Sequence, residues 1–321
     1  MKDAGPPPEE PGAHISVMAE SALEWLAIRP DGVYVDCTAG MGGHAEAIVR
    51  RLESGRLIAL DRDSEAVRQT KERLRPYPQA TVLCANYGAL EAVLDQAGVS
   101  RADGILIDAG ISSSQLDDPA RGFTFQQEGP LDMRMNPAEG LSASELLARS
   151  DSGAIERILR EYGDVRPVKR LAAGLTERAR AGRLTTTTAL VEAIQDILNV
   201  HHKIPEEVRT VFQALRIAVN AELEHLGSGL RQAAHRLGPG GRLVAITFHS
   251  GEDRVVKQVF KEYGRPRHER YPDGRTKQTI PPLLRILTRG PVQPSREEIA
   301  QNRRSQSAKL RAAERLENDG G

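Results

Sequence analysis

The spacing of its short apolar runs constrains this chain most. Gly32 to Thr38 (GVYVDCT), Gly55 to Asp61 (GRLIALD), Ala80 to Ala85 (ATVLCA) and Asp103 to Ala109 (DGILIDA) follow one another at intervals of about 25 residues. Helical stretches at about 44 to 53, 63 to 75 and 87 to 97 lie between them. Continuous Val/Ile/Leu strands alternating with helices predict a doubly wound α/β fold, a mostly parallel sheet buried on both faces. A fifth strand, Gly241 to Phe248 (GRLVAITF), arrives only after about 130 further residues. A simple crossover unit takes roughly 30, so something is inserted.

The inserted stretch reads as helices. Ser142 and Glu145 form a capping-box signature before ELLARS, and Ala154 to Tyr162, Pro167 to Ala181, Thr187 to Asn199 and Pro205 to Leu226 follow. In the last of these, Val208, Val211, Phe212, Leu215 and Val219 keep helical spacing on one face. The expected organisation is a discontinuous sheet domain, 14–120 and 222–321, with a small helical domain at 121–221 and a disordered 1–13. After the fifth strand the pattern predicts a helix at Asp253 to Tyr263, a strand within LLRILT at 283–288 and a basic, weakly helical end before a disordered NDGG.

Composition narrows the class. Apolar residues at 39% and charged residues at 27% are ordinary globular values, and with 4% aromatics the core must be aliphatic. No uncharged apolar run approaches the roughly 18 residues of a membrane span, and the start MKDAGPPPEEPG is unlike a signal peptide, so a soluble cytoplasmic protein is expected. Two cysteines, Cys37 and Cys84, are too few for a disulfide framework or a zinc site, and both read as buried, reduced thiols. The formal charge of zero divides into a net of about −8 before Arg254 and +8 from there on, which points to a polyanion-binding end or a solvated basic tail.

Chemistry concentrates at the ends of the strands. Asp36 to His44 (DCTAGMGGH) closes the first strand and opens a helix, where glycines let the backbone approach a ligand. The GxGG spacing departs from the dinucleotide fingerprint GxGxxG, and a carboxylate at Asp36 would repel a pyrophosphate. It suits S-adenosylmethionine, which carries an amino group and a sulfonium instead. Asp61 ends the second strand where an acid can accept both ribose hydroxyls, a feature shared with NAD enzymes, and Asp108 ends the fourth.

Together HISVM (14–18), DCTAGMGGH (36–44), LDRD (60–63), DAGISSSQLD (108–117), RGFTF (121–125), LDMRM (131–135), FQALRIAVNAEL (212–223), TFHSGEDRVVK (247–257) and NRRSQSAKLR (302–311) closely resemble the bacterial ribosomal RNA small subunit methyltransferase H family. The resemblance implies a Rossmann-like class I methyltransferase sheet with an inserted helical domain. It also implies transfer of a methyl group from S-adenosylmethionine to N4 of a cytidine in the decoding region of small-subunit (16S) ribosomal RNA, free or in the assembled subunit. Carried over position by position, the cofactor contacts are Gly42, Gly43, His44, Asp61, Tyr87, Asp108 and Gln115. Tyr87 stands where many members have Phe, and Ala109 and Gly251 stand where the family usually has Leu; the second change is expected to loosen a loop beside the site.

Methylating an amine requires in-line positioning and an acceptor for a developing positive charge, with no metal or cysteine adduct expected. Asp108 is the first choice of acceptor, and a carbonyl of the Gly110 to Ser113 loop the second. That loop lacks the DPPY-like sequence common in enzymes that methylate base amines, so Phe123, Phe125 and Phe248 become candidate stacking platforms, with Arg121 and His249 facing the same crevice. Arg303, Arg304, Lys309 and Arg311 are the expected phosphate contacts. Competing readings are a methyltransferase acting on DNA or a small molecule, and an RNA-binding or assembly protein that keeps the cofactor fold without catalysis.

Overall fold

The computed structural model describes residues 16–317, except Asp164 and Gly274. The expectations placed on residues 1–13 and on the final NDGG, and the His-Ile of HISVM, lie outside the described residues.

In chain order the elements are α1 (Ala19–Leu26), β1 (Val33–Asp36), α2 (Gly43–Val49), β2 (Arg56–Asp61), α3 (Ser64–Leu74), β3 (Ala80–Cys84), α4 (Leu90–Gln96), β4 (Ala102–Asp108) and α5 (Ser113–Asp117). Then come α6 (Ala143–Arg149), α7 (Ser152–Gly163), α8 (Val168–Arg180), α9 (Thr187–Leu198), α10 (Glu206–Asn220) and α11 (Glu222–Arg236). The chain returns through β5 (Leu237–Thr247), α12 (Ser250–Tyr263), β6 (Arg267–Arg270), β7 (Thr276–Ile280), β8 (Leu284–Ile286), α13 (Arg296–Gln301) and β9 (Lys309–Arg315).

One seven-stranded sheet has the order β3-β2-β1-β4-β5-β9-β8, with the first five strands parallel and β9 antiparallel to both neighbours. Strand order reverses between β1 and β4, which leaves a crevice outside their carboxyl ends, the usual ligand position in such sheets. Aliphatic residues fill both faces: Val35, Ile58, Ile105 and Ile107 pack under α4, α11 and α12, whereas Leu57, Ala59, Leu106 and Val244 pack under α1 and α2. A third apolar core lies within 123–215, among Leu147, Leu159, Leu171, Leu190, Val211 and Leu215. The Ser142–Glu145 capping box forms as the sequence predicts and starts α6.

Three expectations fail for identifiable reasons. Pro205 to Leu226 is two helices, because Ala221 takes a left-handed conformation (φ 47°) between α10 and α11. Asn220 holds that break: its Nδ2 donates to the carbonyls of Met133 and Arg216, and its Oδ1 accepts the Met135 N–H. The basic end is a strand, not a helix: Arg242 to Thr247 of β5 pair with Glu314 to Lys309, and the ladder outweighs the helix propensity of KLRAAER. Cys84 is exposed, because β3 is the sheet edge and Cys84 its last residue, whereas Cys37 is buried.

Candidate active site

The glycine turn is stitched to the strands on either side. Gly40 (φ 54°) donates its N–H to Asp61 Oδ2 at 2.8 Å, and its carbonyl accepts from Thr70 Oγ1 at 2.9 Å. Thr38 Oγ1 accepts the Asp108 N–H at 2.7 Å, which fixes the end of β4 against the turn. Gly40, Gly43 and His44 line the crevice. Gly42 does not: it is buried with φ 82°, and a Cβ there would stand 3.1 Å from Arg73 Cδ. Its role is to shape the turn.

The strand-end acids divide into two arrangements. Asp61 lines the crevice, and its oxygens accept the N–H groups of Gly40 and Asp63 (2.8 and 2.9 Å). Burial pushes its carboxyl up to about 6, against the pull of those two hydrogen bonds. Asp36 is wholly buried and also pushed up to about 6 by burial, and it does not reach the crevice wall. The expected direct contact with a cationic ligand is therefore corrected: Asp36 stands behind His44. The His44 ring lies 3.4 Å from Asp108 Oδ2. Burial works against charge on this imidazole, but Asp108, Asp36 and Glu298 outweigh it and raise its pKa. One Asp36 oxygen, one Asp108 oxygen and both His44 nitrogens are buried without hydrogen-bond partners among the described residues. Such atoms are rare in finished interiors. The glycine cradle beside them has room for a ligand with an amino group and a ribose.

The remaining wall comes from several elements. Tyr87 sits against Gly229, where a Cβ would lie 2.7 Å from its ring, and burial raises its phenol pKa. Gln115 is buried; its Nε2 donates to Asp63 Oδ2 at 2.8 Å, and its Oε1 closes a capping box on Ser112. Phe123, Phe125 and Phe248 all line the crevice, Phe125 edge-on to Phe212 at 5.4 Å between ring centres. Arg121 does not: its guanidinium is spent on Asp63 (2.8 Å) and on the carbonyls of Arg134 and Met135. His249 lines the crevice as the cap of α12. Gly251 is in the first turn of that helix and not in a loop, its N–H donating to His249 Nδ1.

Several residues escaped the sequence reading. Arg216 of α10 and Glu222 of α11 form a largely buried two-bond ion pair (2.8 and 2.9 Å) on the crevice wall beside Glu252. Burial raises the Glu222 pKa despite that guanidinium. For Glu252 burial also works upward, but His249, Arg216 and the Phe248 N–H together hold it below its ordinary value. Only Glu252 had a signal, the His-x-x-Glu spacing of a capping box. Arg209, exposed on α10, faces the crevice as well.

At the mouth, Arg303 and Arg304 line the crevice from the turn before β9. Arg304 is paired with Asp117 at 2.7 Å, whereas neither Arg303 nor Arg209 makes an ion pair among the described residues. Lys309 and Arg311 are strand residues outside the crevice wall, and Arg311 is bound to Asp253 at 2.6 Å. The whole forms an open crevice of about 850 Å³, large enough for a nucleoside-sized cofactor and part of a second substrate. Among the described residues no helix is long and apolar enough to cross a membrane.

The sequence matches the MraW methylase family over residues 12–316. It is 44% identical to a protein of Pelobacter propionicus over 320 aligned residues, spanning 94% of this chain and 98% of that one. It is 42% identical to a protein of Streptomyces avermitilis, over 95% of this chain and 98% of that one. It is also 42% identical to a protein of Leptothrix cholodnii, over 96% and 94%. All three relatives are named ribosomal RNA small subunit methyltransferase H.

Proposed function

The chain belongs to the MraW methylase family, and on that premise we propose that it methylates N4 of a cytidine in the decoding region of small-subunit ribosomal RNA. S-adenosylmethionine is the donor and supplies an electrophilic sulfonium methyl. The reading rests above all on one observation. Acids ending β2 and β4, with a glycine turn, face three aromatic rings across one crevice.

The residues divide the work as their placement allows. Asp61 accepts ribose hydroxyls, having one lone pair left on each oxygen after its two backbone bonds. The amino-acid end of the donor meets His44 and Asp108, with Asp36 behind His44 favouring its charged form. Tyr87 borders the adenine. Gln115 acts through Asp63, positioning the loop after β4.

Cytosine N4 is a weak nucleophile because its lone pair is delocalised into the ring. Asp108, at the end of β4, accepts one amino proton, so that the nitrogen pyramidalises and positive charge is taken up as the new bond forms. Phe248 and Phe123 hold the extruded base, and Arg209 and Arg303 meet backbone phosphates. We assign residues 121–221 to substrate recognition and 14–120 with 222–321 to donor binding and catalysis.

Incubation with labelled S-adenosylmethionine and small ribosomal subunits, naked ribosomal RNA or DNA tests the proposal. Label in the subunit or its RNA is expected. Label in DNA alone, or in no nucleic acid, would refute it.

A further inference from the structure

His249 and Glu252 each keep one buried polar atom that the protein leaves unused. His249 caps α12 through Nδ1, which accepts the N–H groups of Gly251 (3.2 Å) and Glu252 (3.4 Å). With Nδ1 an acceptor, the neutral ring carries its proton on Nε2. Glu252 completes the capping box with Oε2, which accepts the N–H groups of Phe248 (2.7 Å) and His249 (3.2 Å). That leaves His249 Nε2 and Glu252 Oε1. They lie 3.1 Å apart but out of line for a hydrogen bond, and neither has another partner among the described residues.

The neighbourhood of these two atoms is that of the reacting groups. Gly110 has φ 115°, and a Cβ on it would stand 3.3 Å from the Phe248 ring and 4.0 Å from Glu252 Oε1. The loop after β4, the candidate stacking ring and the unused carboxylate oxygen therefore meet at one point. Lacking a side chain, Gly110 leaves the space between them clear. The Arg216–Glu222 pair shares the same wall, and the Arg216 charge favours the ionised Glu252, an acceptor only.

We infer that His249 and Glu252 read the Watson–Crick edge of the extruded base and make the site specific for cytosine over uracil. This rests on the proposed function. His249 Nε2–H donates to cytosine N3, and Glu252 Oε1 accepts the N4 proton on the same side, which leaves the other N4 proton for Asp108. Uracil offers the inverse pair, a donor at N3 and an acceptor at O4. It would set donor against donor and oxygen against oxygen in a buried place, where unpaired groups are costly.

The test uses the full chain, S-adenosylhomocysteine and two RNA fragments that differ only in cytidine or uridine at the target. His249→Asn keeps a good helix cap but loses the Nε2 donor, and Glu252→Gln keeps the capping box but loses the obligate acceptor. The wild type is expected to bind the cytidine RNA at least about tenfold more tightly, the scale of one good paired contact. Both variants should lose most of that preference, with S-adenosylhomocysteine affinity and melting temperature unchanged for His249→Asn. Equal binding of the two RNAs by the wild type, or a preference that survives in His249→Asn, would overturn the inference. A preference for cytidine without methyl transfer to N4 would instead sink the proposed function and leave this subsite standing.

Discussion

Replacing Asp36 with asparagine is expected to stabilise the unliganded protein while weakening its hold on the cofactor. Asp36 is fully buried, and loss of water lifts its carboxyl to about 6 from 3.8, partly offset by His44. At roughly 1.4 kcal/mol per pKa unit, the ionised group costs the native state on the order of 3 kcal/mol at neutral pH. Asparagine keeps the oxygen that accepts the Thr38 N–H and replaces the partnerless oxygen with a neutral amide. The direction with pH follows from the raised native pKa. Between 3.8 and about 6 the folded chain holds a proton that the unfolded chain has lost, so stability falls as pH rises through that window. Thermal unfolding of both proteins should therefore show the variant ahead at neutral pH, by about 2 to 4 °C per kcal/mol gained. The two should converge at about pH 4, near the unfolded-state value. Calorimetry should show weaker binding of S-adenosylhomocysteine, because His44 loses the carboxylate behind it. A variant that is less stable at neutral pH, or an advantage that does not vary with pH, would refute the reasoning.

Other consequences are open to direct measurement. Asp61→Ala should weaken donor binding in calorimetry; unchanged affinity would mean the ribose is elsewhere. Arg209→Ala and Arg303→Ala should each lower the slope of log affinity for RNA against log salt by about 0.7, whereas Arg304→Ala should lower it less, its charge being partly met by Asp117. Equal effects at all three would show that the Asp117 pair does not matter. Leu215→Ala, fully buried among the inserted helices, should cost about 2 to 5 kcal/mol in chemical denaturation. A cost below that of a surface substitution would contradict the packing described for 123–215.

The parallel half of the fold was legible because buried parallel strands are written as unbroken Val/Ile/Leu runs, and β1 to β4 have no other way to bury them. The α10–α11 break was not legible, since alanine at 221 carries no turn signal and the bend is held by Asn220 reaching 85 residues back to Met135. KLRAAER looked helical because its residues are strong helix formers, and only pairing with β5 makes it a strand. In the site, Asp61 and Asp108 could be read from strand ends. Whether a charged group faces the crevice or supports one that does depends on partners distant in sequence. Arg121 thus read as a substrate contact although Asp63 holds it, and Arg216 and Glu222 read as nothing in particular. The same holds for the +8 of the C-terminal quarter: Arg311 and Arg304 are ion-paired, so the charge left for a polyanion is smaller, and of the unpaired residues only Arg303 lines the crevice among the described residues.

The most direct test of the central claim is to digest small-subunit RNA after transfer of a labelled methyl group and identify the modified nucleoside by mass spectrometry. N4-methylcytidine at a single position of the decoding region is the expected product, lost in Asp61→Ala and reduced in Asp108→Asn. Label at cytosine C5, on a ribose hydroxyl or on another base would contradict an acceptor at Asp108 and a crevice that presents the exocyclic amine.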